Sequence, residues 1–163
     1  MSKLPPAAGG SGAGVGRIVR DAHFWIAVAA GMLFWAGLAL WVSPAPDPYW
    51  PVRQFRQFLY LTLLFPIIEE VVFRGYLQTM LLRWYYGRRA WLQVTVANLL
   101  TSLLFTALHF FGHPPLAAAA VIVPSLIFGY FRDRHGNIHA AVVLHVFYNT
   151  GYLWLFSSAA RSG

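Results

Sequence analysis

The sequence contains no cysteine. That excludes disulfides, thiolate metal ligands and thiol nucleophiles together, so any chemistry rests on Glu, His, Asn, Ser or Arg. Charge is nearly as scarce: Asp, Glu, Lys and Arg make up 10% of 163 residues, against roughly a quarter in an ordinary soluble domain, while 58% are hydrophobic. Twelve basic and five acidic side chains cannot cover a water-soluble globule of this size, so lipid must cover the rest. The net charge of +7 does not indicate a nucleic-acid partner, because the basic residues fall in short clusters between apolar stretches rather than along one amphipathic face. No internal repeat and no soluble domain is visible.

What is present reads as an all-α polytopic membrane helix bundle. Residues 1–22 form a flexible basic tail rich in Gly, Pro and Ala, with Lys3, Arg17 and Arg20. Residues 23–157 form one integral membrane domain, and 158–163 a short carboxyl-terminal tail. About five transmembrane helices are expected, at 23–42, 55–82, 91–111, 116–131 and 138–156, close to the ~20 residues that a bilayer core requires. Eight basic residues then lie on the amino-terminal side of the membrane (Lys3, Arg17, Arg20, Arg83, Arg88, Arg89, Arg132, Arg134) and three on the other (Arg53, Arg56, Arg161). The positive-inside rule orients the amino terminus inside and the carboxyl terminus outside.

The chain has only two glutamates, Glu69 and Glu70, side by side in the second span with Arg74 four residues on. Ionisable groups at membrane depth cost at least ~2.5 kcal/mol each, so they persist where partnered or where they line a wet cavity. Glu70 and Arg74, at i and i+4, share a helix face, whereas Glu69 points about 100° away and is left free to act. A purely structural Glu-Arg clamp between helices is the plain alternative. Pro66 removes the hydrogen bond to the Thr62 carbonyl and can open the helix near the carboxylates. The third span carries Asn98, Ser102, Phe105, Thr106 and His109 along one stripe, with Asn98 and Ser102 reading as interhelical glue. His109 can hold a proton beside a carboxylate and share in activating a water. In the fifth span His145 and Asn149 sit one turn apart, and their N–H groups can converge on an oxyanion or simply form a packing hydrogen bond. His23, His113, His135 and His139 read as interfacial polar residues.

Glu69-Glu70-Val71-Val72-Phe73-Arg74, Phe105-Thr106-Ala107-Leu108-His109 and His145-Val146-Phe147-Tyr148-Asn149 stand in this order on three apolar spans. Together they resemble the EExxxR, FxxxH and HxxxN set of the CPBP family, the CAAX-protease and bacteriocin-processing intramembrane proteases. The resemblance covers 66–149. It implies an intramembrane glutamic-type endopeptidase without a cofactor, in which Glu69 is the general base, His109 its partner, and His145 with Asn149 the oxyanion donors. Glu70, Arg74 and Phe105 would be supporting residues. It further implies a membrane-anchored protein or peptide substrate in the lipid bilayer of a bacterial inner membrane. The short chain is similar to small members of C-terminal protein-sorting systems, such as those handling JDVT-CTERM tails.

Three other readings compete. Glu69, His109 and His145 could ligate zinc in a membrane metallopeptidase, although no H-E-x-x-H is present. A non-catalytic binding or immunity protein could keep the same fold. Ion or proton transport would use intramembrane carboxylates, but no second gate or repeat accompanies them.

Overall fold

The computed structural model describes residues 15–42, 46–47 and 49–156. Most of the expected amino-terminal tail and all of the carboxyl-terminal one lie outside the described residues. Apart from one short hairpin, the described chain is helical. After a single turn, α1 (Val15–Ile18), Asp21 caps α2 (Ala22–Ala39) by accepting the His23 N–H at 3.0 Å. Helix α2 is apolar all round and leaves Leu33 and Phe34 exposed, as a lipid-facing helix does.

Two short helices, α3 (Trp50–Arg53) and α4 (Phe55–Leu59), lead into the helix that carries the acidic pair. The expected span 55–82 is one run of helix, but not of uniform pitch. A π-helical segment at Tyr60–Leu64 precedes α5 (Phe65–Glu70), and a second at Val71–Gln78 precedes α6 (Thr79–Leu81). In the first wide turn the Phe65 N–H bonds back to the Tyr60 carbonyl, five residues away. Pro66 follows immediately, and its missing N–H makes the regular α ladder impossible there.

The expected third span begins later than the apolar pattern suggests. Residues Ala90–Trp91 (β1) and Val94–Thr95 (β2) pair as an antiparallel hairpin. Leu92 and Gln93 make its two-residue turn at φ 46° and 70°. Thr95 then caps α7 (Val96–His109) by accepting the Asn98 N–H at 3.0 Å, so the helix starts five residues after Trp91 because the cap and turn fix it there. The expected fourth span is two helices, α8 (Pro115–Ala120) and α9 (Ile122–His135). Pro124 lacks the N–H that the Ala120 carbonyl would accept, and the ladder breaks at Val121. Helix α9 ends at Gly136, whose φ of 70° suits glycine, and α10 (His139–Phe156) returns. Among the described residues, Ala22–Ala39 and Pro115–His135 are each long and apolar enough to cross a bilayer, and α7 is apolar but shorter. The other expected spans correspond to the composite helix Phe55–Leu81 and to α10.

The core lies where α9 meets α10 and α2, around Phe24, Ala27, Phe128, Phe131, Ala140, Ala141 and Leu144. Helices α7 and α9 cross at Gly129, where a Cβ would stand 1.9 Å from Asn98 Oδ1. There Asn98 donates to the Leu126 carbonyl at 3.0 Å and accepts from Ser102 Oγ at 3.0 Å, as the glue reading expects.

One end of the bundle is tied by charge. Asp133 accepts from Gln78 Nε2 at 2.9 Å and from Thr95 Oγ1 at 2.7 Å, while Arg132 donates to Thr79 Oγ1 at 2.8 Å. Arg134 donates to Asp21 at 2.6 and 3.1 Å, and His135 Nε2 lies 3.1 Å from the same carboxylate. Burial pushes the Asp21 carboxyl up, but the Arg134 hydrogen bond, the His23 N–H and the charges of Arg134 and His135 outweigh it and hold the group below its ordinary value. A depressed native pKa contributes stability that is complete above the unfolded value and lost as pH falls through the native one. Thermal unfolding should therefore show a steeper loss of Tm below about pH 4 in the native protein than in Asp21→Asn. Equal slopes would remove this latch from the account.

Candidate active site

The two adjacent glutamates occupy different environments, and the local helix explains why. Both end the six residues of α5, clamped between the two π-segments. Glu70 turns into the bundle and its side chain is 0% exposed, whereas that of Glu69 is 34% exposed. Adjacent helical positions point about 100° apart, so one of the pair faces the core and the other an opening.

Glu70 Oε1 accepts from Arg74 Nη1 at 3.1 Å and lies 2.9 Å from His145 Nδ1. Arg74 is itself fully buried and reaches across to α9, donating from Nη2 to Ser125 Oγ at 2.6 Å and to the Ser125 carbonyl at 3.0 Å. Its guanidinium lies over the rings of Phe105 and Phe128, with Cζ 4.7 and 5.5 Å from their centroids. Two aromatic faces and a carboxylate make a buried cation tolerable in an apolar bundle. The i, i+4 clamp expected from spacing is present and extends through Ser125.

On the open side a cleft of about 220 Å³ is lined by Glu69, Phe73, Phe105, Leu108, His109, Gly112 and His113. His109 Nδ1–H donates to the Phe105 carbonyl at 2.8 Å, which fixes the ring and leaves Nε2 as the free nitrogen. Phe105 thus serves both sides of the site: its ring supports Arg74, its edge meets Phe73, and its carbonyl orients His109. His145 sits between the two carboxylates, stacked on Phe128 with centroids 4.7 Å apart, and its Nε2 is 3.5 Å from Glu69 Oε2.

The structure therefore brings Glu69 and His109 to one cleft, with His145 against both glutamates and Glu70, Arg74 and Phe105 behind them. Neither His145 nor Asn149, the two expected oxyanion donors, is among the residues that line the cleft. Asn149 Nδ2 donates instead to the Leu61 carbonyl at 3.1 Å. His113 does line the cleft, one turn beyond His109 and 5.3 Å from it between ring centroids. The i, i+4 spacing of the two histidines was a readable signal for that. Ser125, Gln78 and Asp133 carry contacts that no local pattern announces, because each meets its partner from a distant part of the chain. Among the described residues, no group of three or more His, Asp or Glu side chains is arranged to hold a metal ion.

A family model described as type II CAAX prenyl endopeptidase, Rce1-like, matches residues 51–151, an interval that contains all three motifs. No curated protein and no solved structure matches the chain.

Proposed function

The chain belongs to the Rce1-like family of type II CAAX prenyl endopeptidases and is an integral membrane protein of that protease family, and we propose that it hydrolyses its substrate's peptide bond by a glutamate-activated water. The observation that carries this is the sharing of one open cleft by Glu69 and His109 while the neighbouring Glu70 is sealed in a clamp. Glu69 takes a proton from a water in the cleft, the water oxygen bonds to the scissile carbonyl carbon, and the C–N bond breaks as the amine leaves with a proton. His109, with Nε2 free, orients that water and passes the proton on. His145 faces the carboxylate from the other side. Its Nδ1 is held by Glu70 and its Nε2 lies beside Glu69, the position from which the donor that the motif implies would reach a developing oxyanion. Asn149 completes the donor pair that the motif implies only through the amide hydrogen not committed to Leu61.

No metal enters this scheme. The substrate we propose is a membrane-anchored protein cut near its carboxyl terminus, in keeping with the small sorting-system members that the chain resembles, in a bacterial inner membrane. Asp21, Thr95, Gln78 and Arg134 are joined at one end of the bundle, beside most of the basic clusters, which supports that end as the cytoplasmic one and an outward-facing cleft. The test is mass spectrometry of a membrane-anchored protein with a carboxyl-terminal sorting helix, co-reconstituted with the protein in vesicles, for release of its carboxyl-terminal fragment. Cleavage should persist through exhaustive chelation. Loss of cleavage on chelation, restored by stoichiometric zinc, would replace the glutamate mechanism with the metal one.

A further inference from the structure

The first π-segment, Tyr60–Leu64, leaves the Leu61 carbonyl without a helical partner. In an α-helix the Leu61 carbonyl would accept the Phe65 N–H, but that N–H bonds to Tyr60. In a continued π-turn it would accept from residue 66, which is Pro66 and has no N–H. An orphaned carbonyl at membrane depth has no water to turn to. Asn149 Nδ2, from α10, donates to that oxygen at 3.1 Å. One turn earlier on the same helix, His145 bonds to Glu70 and approaches Glu69. Helix α10 is thus pinned to the acidic helix at two points, one on either side of Pro66 in height.

We propose that Asn149 is a positioning residue: by filling the place of the missing amide at Leu61 it holds the wide turn open and keeps Glu69 and His145 in register. The π-turn, the proline and the asparagine form one device, in which each is needed because of the others. This is additional to the donor role that the HxxxN motif implies, since it acts through the helix backbone with the amide hydrogen that is committed to Leu61.

The experiment is a double-mutant cycle in detergent and in vesicles with Asn149→Ala, Pro66→Ala and the two combined. Alanine at 66 restores an N–H that, by continuing the π-turn one residue further, can bond to the Leu61 carbonyl, so the need for Asn149 falls. Asn149→Ala should lower Tm by roughly 3–10 °C in the native background, the range for an unsatisfied buried polar group, and by less than half as much beside Pro66→Ala. The ¹³C shift of the Leu61 carbonyl should move on Asn149→Ala. In the cleavage assay the loss in kcat on Asn149→Ala should be smaller beside Pro66→Ala than in the native background, with KM little changed. If Asn149→Ala does not fold alone, its recovery by Pro66→Ala supports the device and failure to recover overturns it. An equal Tm cost in both backgrounds, or an unmoved Leu61 carbonyl, overturns it too. The Tm and carbonyl measurements need no substrate, so they can fail while the peptidase reading stands, and an inactive native protein sinks that reading alone.

Discussion

Glu69→Gln should abolish peptide cleavage almost completely while leaving the protein folded. The substitution keeps the side chain's length and shape and removes only its ability to take a proton, and general-base catalysis is worth about 10²–10⁴-fold. The loss should fall on kcat, with KM little altered, because the amide still fills the same place in the cleft. Folding should be spared, since Glu69 is partly open and its nearest charged contact is the long one to His145. The measurement is the steady-state rate of carboxyl-terminal fragment release from the co-reconstituted membrane-anchored substrate, alongside a melting curve of the same preparation. A Glu69→Gln protein that cleaves at the native rate would mean that the cleft binds without catalysing, as a non-catalytic member of the fold would.

Arg74→Ala should do the reverse, costing stability first and activity as a consequence. Removing one partner of a buried ion pair leaves the other charge uncompensated, which costs about 3–5 kcal/mol. Here the loss also frees Ser125 and empties the space between Phe105 and Phe128. Lysine does not substitute, because a single ammonium cannot serve Glu70 and Ser125 at once while lying flat between two rings. Replacing the pair together, as Glu70→Gln with Arg74→Met, should cost less than Arg74→Ala alone, because no charge is then stranded. Thermal unfolding of the three variants checks this. A cost below about 1 kcal/mol for Arg74→Ala would show the pair to be no more than a surface-grade contact.

The sequence made the helical membrane class, the acidic pair and the different environments of its two members legible, because these follow from composition and from one local rule. Glu70 and Arg74 share a face at four residues' separation, and no tertiary context alters that. The boundaries of the third and fourth spans were less legible. Trp91 and Leu92 are apolar enough to extend a span, yet a two-residue turn and the Thr95 cap claim them for a hairpin. Pro124 splits the fourth span, and nothing local to it gives the length of helix on each side. The partner of Asn149 was out of reach altogether, since Leu61 is an anonymous apolar residue whose relevance lies in its carbonyl. His113 was read as an interfacial group because it follows the end of its helix, although its ring still lines the cleft.

The two wide turns also bear on how tolerant this helix is of insertions and deletions. A segment with more residues per revolution advances the azimuth of everything downstream by less per residue, so the compass bearing of the acidic pair is set by the residue count at Tyr60–Leu64 as much as by chemistry. Dropping a single residue there could tighten the coil to ordinary pitch and leave the bearing nearly unchanged. The same deletion inside α5 would swing the carboxylates round by more than a quarter of a revolution, away from the helices that now receive them.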